Sequence, residues 1–399
     1  MKKIAFFSTS LPDLTQGGTG ITNYLFCDYL IKNNFYIEGF FRTNKKFISE
    51  SNQTSLDYLK NLGVKINIID DGDYYEESFL SKLKFGYEYL KKIYHVNFLK
   101  KYLKKIDLNF DGYICYDLGW ILALSSTNIK NCIGILNDPI HQRIKFGSNL
   151  TFNLKDNFNY FRGVFLGSKN VIKKINQEVK KDFKIFSFSE HHADEYTSKG
   201  LKCNVIPYSS EYIPKNKIKQ SFDIENKIKI LHVGDLRTSV GRSFIKFFKD
   251  EIELILSRLK FEFEFNFVGK YEKKIFSDYK NIKLNFHGFQ NNIEKYYKKN
   301  DLYLVISSYP VGTRTRVITS QSFGLPCITD INAKKGIPLL ENNKNCFLLD
   351  KKKKLDEIFH KIINEKDLLK KVSINARNYW EQNHNPMKNI QKLINMLDI

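Results

Sequence analysis

Arg314 and Arg316 stand one residue apart in the stretch VGTRTRVITS, between an apolar run and a short helical pattern. Alternate residues of an extended turn point the same way, so both guanidiniums can reach one diphosphate. Gly312 precedes them, and Thr313 and Thr315 add hydroxyl donors at the helix start. A second pair, Arg237 and Arg242, flanks a small-residue turn in VGDLRTSVGRSFIKFF. Arginines at a helix amino end oppose the macrodipole, and an anion between them would relieve that cost. The alternative for this pair is a solvated surface. Near the start of the chain, Gly17, Gly18, Thr19 and Gly20 separate an apolar run from a helical pattern whose first turn carries Thr22 and Asn23. Glycines there let backbone N–H groups approach a ligand, with the positive end of the helix behind them. The spacing is not GxGxxG, so a dinucleotide fingerprint is absent.

A carboxylate and an imidazole follow another apolar run, in CIGILNDPIHQRIKF. His141 can hydrogen-bond a ligand hydroxyl, and Asp138 can orient one. Asp138 can equally be a turn or cap residue before Pro139. His191 and His192 are adjacent at a helix start and point apart, which argues against a shared metal and reads as structural. The six cysteines form no CxxC pair and mostly sit in apolar runs, as reduced, buried thiols do. No metal-ligand spacing joins them to the eight histidines. Neither a metal nor a resident cofactor is expected.

These residues need elements to position them. Short β-rich runs alternate with helical segments: Lys3–Ser8, Tyr36–Phe41, Val64–Ile69, Gly112–Tyr116, Cys132–Leu136, Val164–Gly167 and Ile185–Ser189 in the first half. The second half offers Lys229–Val233, Phe263–Val268, Ile282–Phe286, Leu302–Ile306, Pro326–Thr329 and Cys346–Leu349. Several are apolar at nearly every position, as strands buried on both faces of a parallel sheet are. Amphipathic stretches such as Ile21–Lys32 and Ile245–Leu259 supply the crossovers. The pattern is α/β, doubly wound, and occurs twice. The expected division is a Rossmann-like domain over 1–208, a polar linker over 209–226, a second Rossmann-like domain over 227–385, and a helix over 386–399 returning to the first. Two such domains imply a cleft between them, with ligands beyond the carboxyl ends of the strands.

Composition agrees. A chain of 399 residues with 42% hydrophobic content holds two domains that can each bury a core. Lys and Arg outnumber Asp and Glu by 64 to 43, a net +21 that attracts phosphate on nucleotides, nucleic acid or lipid. No apolar run reaches a membrane span, and the one after the basic start is too short for a signal peptide. The expected location is the cytoplasm, at or near the inner face of the membrane. Leu80, Leu83, Tyr87, Leu90 and Tyr94 recur at helical spacing, among lysines that continue to Lys105. A basic, aromatic-rich helix near 80–105 either lies on an anionic membrane or is a core stripe with solvated lysines.

In order and spacing, HVGDLR, NFVG, NFHGFQNNIEKYYKKNDLYLVISS, VGTRTRVITSQSFGLPCITD and GIPLLENNKNCFLLD resemble the GT-B glycosyltransferases, specifically the retaining enzymes of glycosyltransferase family four. The resemblance extends back to FSFSEHHADEYTSKGLKCNVIPYSSE and to the first glycine segment, so it covers nearly the whole chain. It implies that Gly312, Thr313, Arg314, Thr315 and Arg316 face a donor diphosphate, and that Arg237 and Arg242 supply a further cation. By the same resemblance His287, Gly288 and Phe289 hold the nucleotide base, and Gly17, Gly18 and Thr19 close over the donor. Asp138 and His141 would meet the donor sugar or the acceptor. Many members carry two glutamates eight positions apart; at those places this chain has Val311 and Thr319. A GTRTR loop variant lacking the glutamate pair leaves Thr319 at the ribose position.

The resemblance thus implies sugar transfer from a nucleoside-diphosphate sugar to a hydroxyl of a glycan or lipid-linked acceptor. Retention, independence of metal and a place in bacterial surface polysaccharide or glycoconjugate synthesis come with it. Two alternatives differ in class. A nucleotide-sugar epimerase would bring carboxylate acid–base groups to the donor sugar, and no convincing set is visible. A basic nucleic-acid-binding protein would expose interleaved aromatics, whereas the aromatics here fall inside strands and helices. No nucleic-acid partner is expected.

Overall fold

The apolar runs assemble into two parallel sheets. The computed structural model describes residues 1–14, 17–70, 72, 86–139, 141–142, 144, 161, 164–219, 221–222, 224, 226–256, 258–259, 261–271, 282–306, 312–350 and 355–399. By its contacts the chain forms two units. The first is Met1–Tyr208 with Val311–Thr313 and Pro386–Ile399; the second is Ser209–Pro310 with Arg314–Asn385.

In the first unit the strands are β1 (Lys3–Ser8), β2 (Tyr36–Thr43), β3 (Lys65–Asp70), β4 (Gly112–Tyr116), β5 (Cys132–Leu136), β6 (Phe183–Ser187) and β7 (Asn204–Val205). They pair in the order β3-β2-β1-β4-β5-β6-β7, all parallel. The sequence KIAFFS shows why β1 lies at the centre: Ile4 and Phe6 enter one hydrophobic cluster, and Ala5 and Phe7 enter the other. Strand order turns between β1 and β4, and a ligand is expected beyond their carboxyl ends.

Helix α1 (Gly17–Lys32) packs on one face of this sheet, with α2 (Glu50–Asn61) beside it. The other face carries α3 (Gly86–Ile93), α4 (Val96–Leu103), α5 (Leu118–Leu124) and α6 (Lys169–Glu178). Helix α7 (Glu190–Ser198) follows β6. Tyr87 and Leu90 of the expected stripe are buried in that second face and Tyr94 packs half-buried against it, so the described part of the stripe is core. The single helix expected near 80–105 is broken at His95 (φ 53°) into α3 and α4. Leu80 and Leu83, which began the expected stripe, lie outside the described residues, as does the Lys351–Lys354 run.

The second unit repeats the plan with β8 (Lys227–Val233), β9 (Glu262–Val268), β10 (Ile282–Phe286), β11 (Leu302–Val305), β12 (Cys327–Asp330) and β13 (Phe347–Leu349). Their order is β10-β9-β8-β11-β12-β13, again all parallel, with the turn in strand order between β8 and β11. The helices are α8 (Ser239–Phe247), α9 (Glu294–Lys299), α10 (Thr315–Ser322), α11 (Leu355–Asn364) and α12 (Leu368–Asn383). The last helix, α13 (Pro386–Ile394), belongs to the first unit, where Ile390, Leu393, Ile394 and Leu397 join the cluster around Phe6 and Phe26.

Several strand ends differ from the expected ones by one or two residues, and three expected elements are among those that change. Val164–Leu166 is helical and Gly167 is a turn, where a strand was expected; Val164 and Phe165 are exposed and only Leu166 is buried. A four-residue apolar run does not decide its own period. Strand β6 begins two residues before the expected Ile185 and ends at Ser187. The helix expected at Ile245 begins instead at Ser239, because the Thr238 side chain caps it by accepting from Gly241 N. It then widens into a π-turn over Phe248–Ile252 before Glu253–Leu256. All six cysteines are free and buried.

Candidate active site

In the second unit Arg237 and Arg316 lie at the carboxyl end of β8. Three backbone segments cross there at close range. Gly234 N donates to Val268 O at 2.9 Å, Gly269 N to Gly288 O at 2.7 Å, and His287 N to Phe267 O at 2.9 Å. A Cβ on Gly269, where φ is 134°, would fall 2.1 Å from Gly234 O, so only glycine permits this crossing.

Arg314 and Arg316 reach this end by a different route from the one the sequence suggested. Arg314 is the N-cap of α10, and Thr315 and Arg316 are its first two residues. The backbone is therefore helical at Arg316, and the two side chains are not related by the alternation of an extended turn. Arg316 lies across the end of β8: its Nη1 donates to Val233 O at 3.1 Å, and a Cβ on Gly234 would meet that nitrogen at 2.8 Å. The Arg316 guanidinium and the N–H groups of the first turn of α10 thus lie at one end, which favours an anion.

His232 stands behind Arg316. It is stacked on Phe244 with centroids 3.8 Å apart, and its Nδ1 donates to Leu304 O at 3.0 Å. Burial, and then the Arg316 charge, push its pKa down to about 3, so the ring is neutral. Nothing in the strand pattern of KIKILHV marked this histidine, since an apolar strand commonly contains one polar residue.

Other expected donor residues are engaged elsewhere. Arg237 forms a two-pronged pair with Asp235, at 2.9 and 2.8 Å, and this pairing holds the Asp235 carboxyl below its ordinary range. Arg242 Nη1 donates to Arg237 O at 2.5 Å, so no anion-binding gap separates the two. The Arg237 pair is surface-exposed, and exposed pairs of this kind contribute little to stability. Thr319 donates its hydroxyl to Thr315 O at 3.1 Å, within its own helix. Phe289 is 47% exposed beside His287 and Gly288. Gly312 (φ 78°) and Thr313 group by contact with the first unit, whereas Arg314 begins the second.

In the first unit, Gly17, Gly18, Thr19 and Gly20 are the opening turn of α1 and not a loop before it. Asn23, fully buried, anchors that turn to the end of β1 through Ser8 Oγ at 2.9 Å and Ser10 O at 2.8 Å. Asp13 N donates to Gly20 O at 3.0 Å, and the Asp13 carboxylate accepts from Ser51 and Asn52 on α2. At the end of β4, Asp117 (φ 108°) caps α5 and accepts from Thr9 Oγ1.

Beyond β5 and β6 lies a cluster only half foreseen. His141 Nε2 meets Glu195 Oε1 at 2.7 Å, and Glu195 also binds Gln142 and Lys199. Burial works against the Glu195 charge, but the hydrogen bonds from His141 and Lys199 outweigh it and hold the carboxyl well below its ordinary range. A Cβ on Gly167 would strike the His141 ring at 2.6 Å, so glycine is what lets the ring fit. Asp138, partly exposed, lies 3.8 Å from His192 Nδ1. His192 is pushed down to about 4, first by burial and then by His191, so this contact is dipolar and not an ion pair. His192 had been read as structural, and Glu195 was missed, because α7 brings both to the cluster some fifty residues beyond Asp138; the helix sets them three positions apart, on one face. Among the described residues, no three His, Cys, Asp or Glu side chains group closely enough to hold a metal.

Residues 227–365 match the family model described as "Glycosyl transferases group 1". No curated protein matches the chain significantly by sequence. Solved structures share the fold over its full length. Anabaena HepE in complex with UDP and glucose is 13% identical, with a TM-score of 0.61 over 100% of this chain and 99% of that one. A glycosyltransferase from Rickettsia africae is 16% identical, at 0.63 over 100% and 99%. Sucrose-phosphate synthase from Thermosynechococcus elongatus is 13% identical, at 0.65 over 99% and 98%. Residues 227–365, within the second unit, thus match the glycosyl transferases group 1 model, and the chain as a whole has the two-domain, parallel-sheet GT-B fold of these structures.

Proposed function

We propose that the chain transfers a sugar from a nucleoside-diphosphate sugar to a hydroxyl of a glycan or lipid-linked acceptor, retaining configuration and using no metal ion. The observation that carries this reading is the shared amino end of α10, where Arg314 and Arg316 meet the helix's first N–H groups beside the end of β8. Glycosyl transfer breaks the bond between the anomeric carbon and the diphosphate, and negative charge grows on the departing oxygen. Guanidiniums and a helix dipole aimed there stabilise that charge without reorganising. With retention, the acceptor oxygen attacks from the face the diphosphate leaves, and a phosphate oxygen takes the acceptor's proton.

The roles divide by unit. Residues 227–385 bind the donor, with Arg237 released from Asp235 as a further phosphate contact and His287–Phe289 beside the base. Residues 1–208 bind the acceptor through Asp138 and the clamped His141, and the helix over 386–399 completes that unit. HepE is solved with UDP and glucose, so a uridine diphosphate sugar is the first donor to try. Among the described residues no helix is long and apolar enough to cross a membrane. We place the enzyme in bacterial surface polysaccharide or glycoconjugate synthesis, on the cytoplasmic side, with the lysines of α3 and α4 as the contact to an anionic bilayer. A thermal-shift panel of nucleoside diphosphates and nucleotide sugars tests the reading. A donor at 100 times its Kd stabilises the fold by about 2.7 kcal/mol. A panel with no shift from any diphosphate contradicts it.

A further inference from the structure

A cavity of about 620 Å³ in the second unit lies against α9 and the strands β8 and β9, and neither Arg314 nor Arg316 lines it. Lys229, Lys295 and Lys299 line it, with Asn266, Asn300 and His287. The chain builds this polar face deliberately: in β8 and β9, Ile228, Ile230, Phe263 and Phe265 enter the core, and Lys229 and Glu264 alternate with them.

The nearby carboxylates are already occupied. Glu264, which also lines the cavity, accepts from Lys227 Nζ at 3.2 Å and Asn285 Nδ2 at 3.1 Å. Asp301 takes Lys219 Nζ at 3.2 Å and the Lys229 backbone N–H at 2.9 Å. Among the described residues, none of the three lining amines has a carboxylate at ion-pair distance. Lys295 and Lys299 are also four apart on one helix, where like charges repel. The remaining polar groups are held rigidly: Asn266 donates to Asn300 Oδ1 at 2.9 Å and accepts from His287 Nε2 at 2.8 Å.

We propose that this cavity is a second anion site, binding a small phosphorylated molecule separately from the diphosphate site at Arg314 and Arg316. Three lysines lining one pocket suit a phosphate as point charges, with Lys295 Nζ held 5.0 Å over the Tyr296 ring, and the volume is that of a small-molecule site. Occupancy registers at His287. Burial, and then the Lys295 charge, lower that imidazole's pKa, and an anion neutralising Lys295 raises it. His287 also belongs to the segment read as the base-binding strip, so the cavity and the donor site share one residue.

The test is a titration of the full chain with inorganic pyrophosphate, by calorimetry and by NMR of the histidine rings, in the Arg314→Ala/Arg316→Ala double variant so that neither donor-site arginine contributes. The expected result is retained binding in the double variant, about tenfold weaker binding on adding Lys229→Ala or Lys299→Ala, and an upward shift of the His287 pKa with ligand. No binding in the double variant, binding that ignores both lysine changes, or a His287 ring that does not respond overturns the site. Failure of the donor reading would leave this result unaltered, since both arginines of that reading are removed.

Discussion

Arg377 Nη1 donates to the Ser322 carbonyl at the carboxyl end of the same helix whose first turn holds Arg316. Its Nη2 reaches Ile213 O at 2.9 Å, its Nε pairs with Glu381 at 2.9 Å, and the guanidinium rests 4.5 Å from the Trp380 ring centre. Ser373 adds a bond to Gly324 O at 2.5 Å. A cation at a helix's carboxyl end complements the macrodipole, so α12 fixes α10 lengthwise and thereby sets where its amino end lies.

Replacing Arg377 with Ala therefore weakens both stability and donor binding, though residue 377 is remote from the phosphate. Each charged hydrogen bond lost costs about 1.5–3 kcal/mol. The expected outcome is a lower Tm and at least a tenfold rise in nucleoside diphosphate Kd. Arg377→Lys restores the charge but not the fork, and recovers less than half of either. A variant with reduced Tm and unchanged Kd would separate α12 from the site.

Acid acts through two buried imidazoles. His192 is pushed down to about 4 and His232 to about 3, while the unfolded chain takes up these protons near pH 6.5. Both folded values are depressed, so their stabilisation is complete above pH 6.5 and drains as pH falls towards 4 and then 3. Each group costs about 1.4 kcal/mol per pH unit in that window. Chemical denaturation at pH 7 and pH 5 should show a loss on the order of 2 kcal/mol per histidine, about halved in His192→Gln. Equal stability at the two pH values contradicts the burial argument.

Glu195 is predicted to position His141. Glu195→Gln removes the charge that binds His141 Nε2 and Lys199 while preserving size. Turnover should fall about tenfold or more, as loss of a charged hydrogen bond allows, and the pH–rate profile should move on its acidic side. An unchanged profile with lower stability alone would make the pair structural.

Chelation should leave activity intact. Arginines and a helix end do the work of a cation at the diphosphate, so EDTA is expected to reduce turnover by less than twofold. Complete loss, restored by Mn²⁺ or Mg²⁺, contradicts that.

Much of the frame was legible because burial on both faces leaves a dense apolar signal. Gly112–Tyr116, Cys132–Leu136 and Ile282–Phe286 begin and end where the pattern placed them. What escaped depends on long-range partners. Nothing local says that Glu195 will hold His141, or that Arg377 will reach Ser322, because folding alone brings these residues together. Arg314 and Arg316 were legible as a pair, but their geometry was not. The helix begins at Thr315, two residues sooner than an extended reading through Arg316 assumes, and helical period replaces alternation. Gly17, Gly18 and Gly20 were likewise placed before the helix that they open, where the bond from Asp13 N to Gly20 O and the tie of Asn23 to Ser8 and Ser10 offset their low propensity. Gly269 carried a signal in NFVG, but its role rests on Gly234, 35 positions earlier.

The account's central claim is that the amino end of α10 binds the donor diphosphate. Its most direct measurement is the Kd of uridine diphosphate by calorimetry for the wild type, Arg314→Ala, Arg316→Ala and Arg316→Lys, with folding checked by thermal unfolding. Each charged contact contributes about 1.5–3 kcal/mol, so each alanine variant should bind roughly 10- to 150-fold more weakly, with Arg316→Lys intermediate. If the full nucleoside diphosphate panel binds the wild type and both folded alanine variants with equal affinity, the diphosphate lies elsewhere.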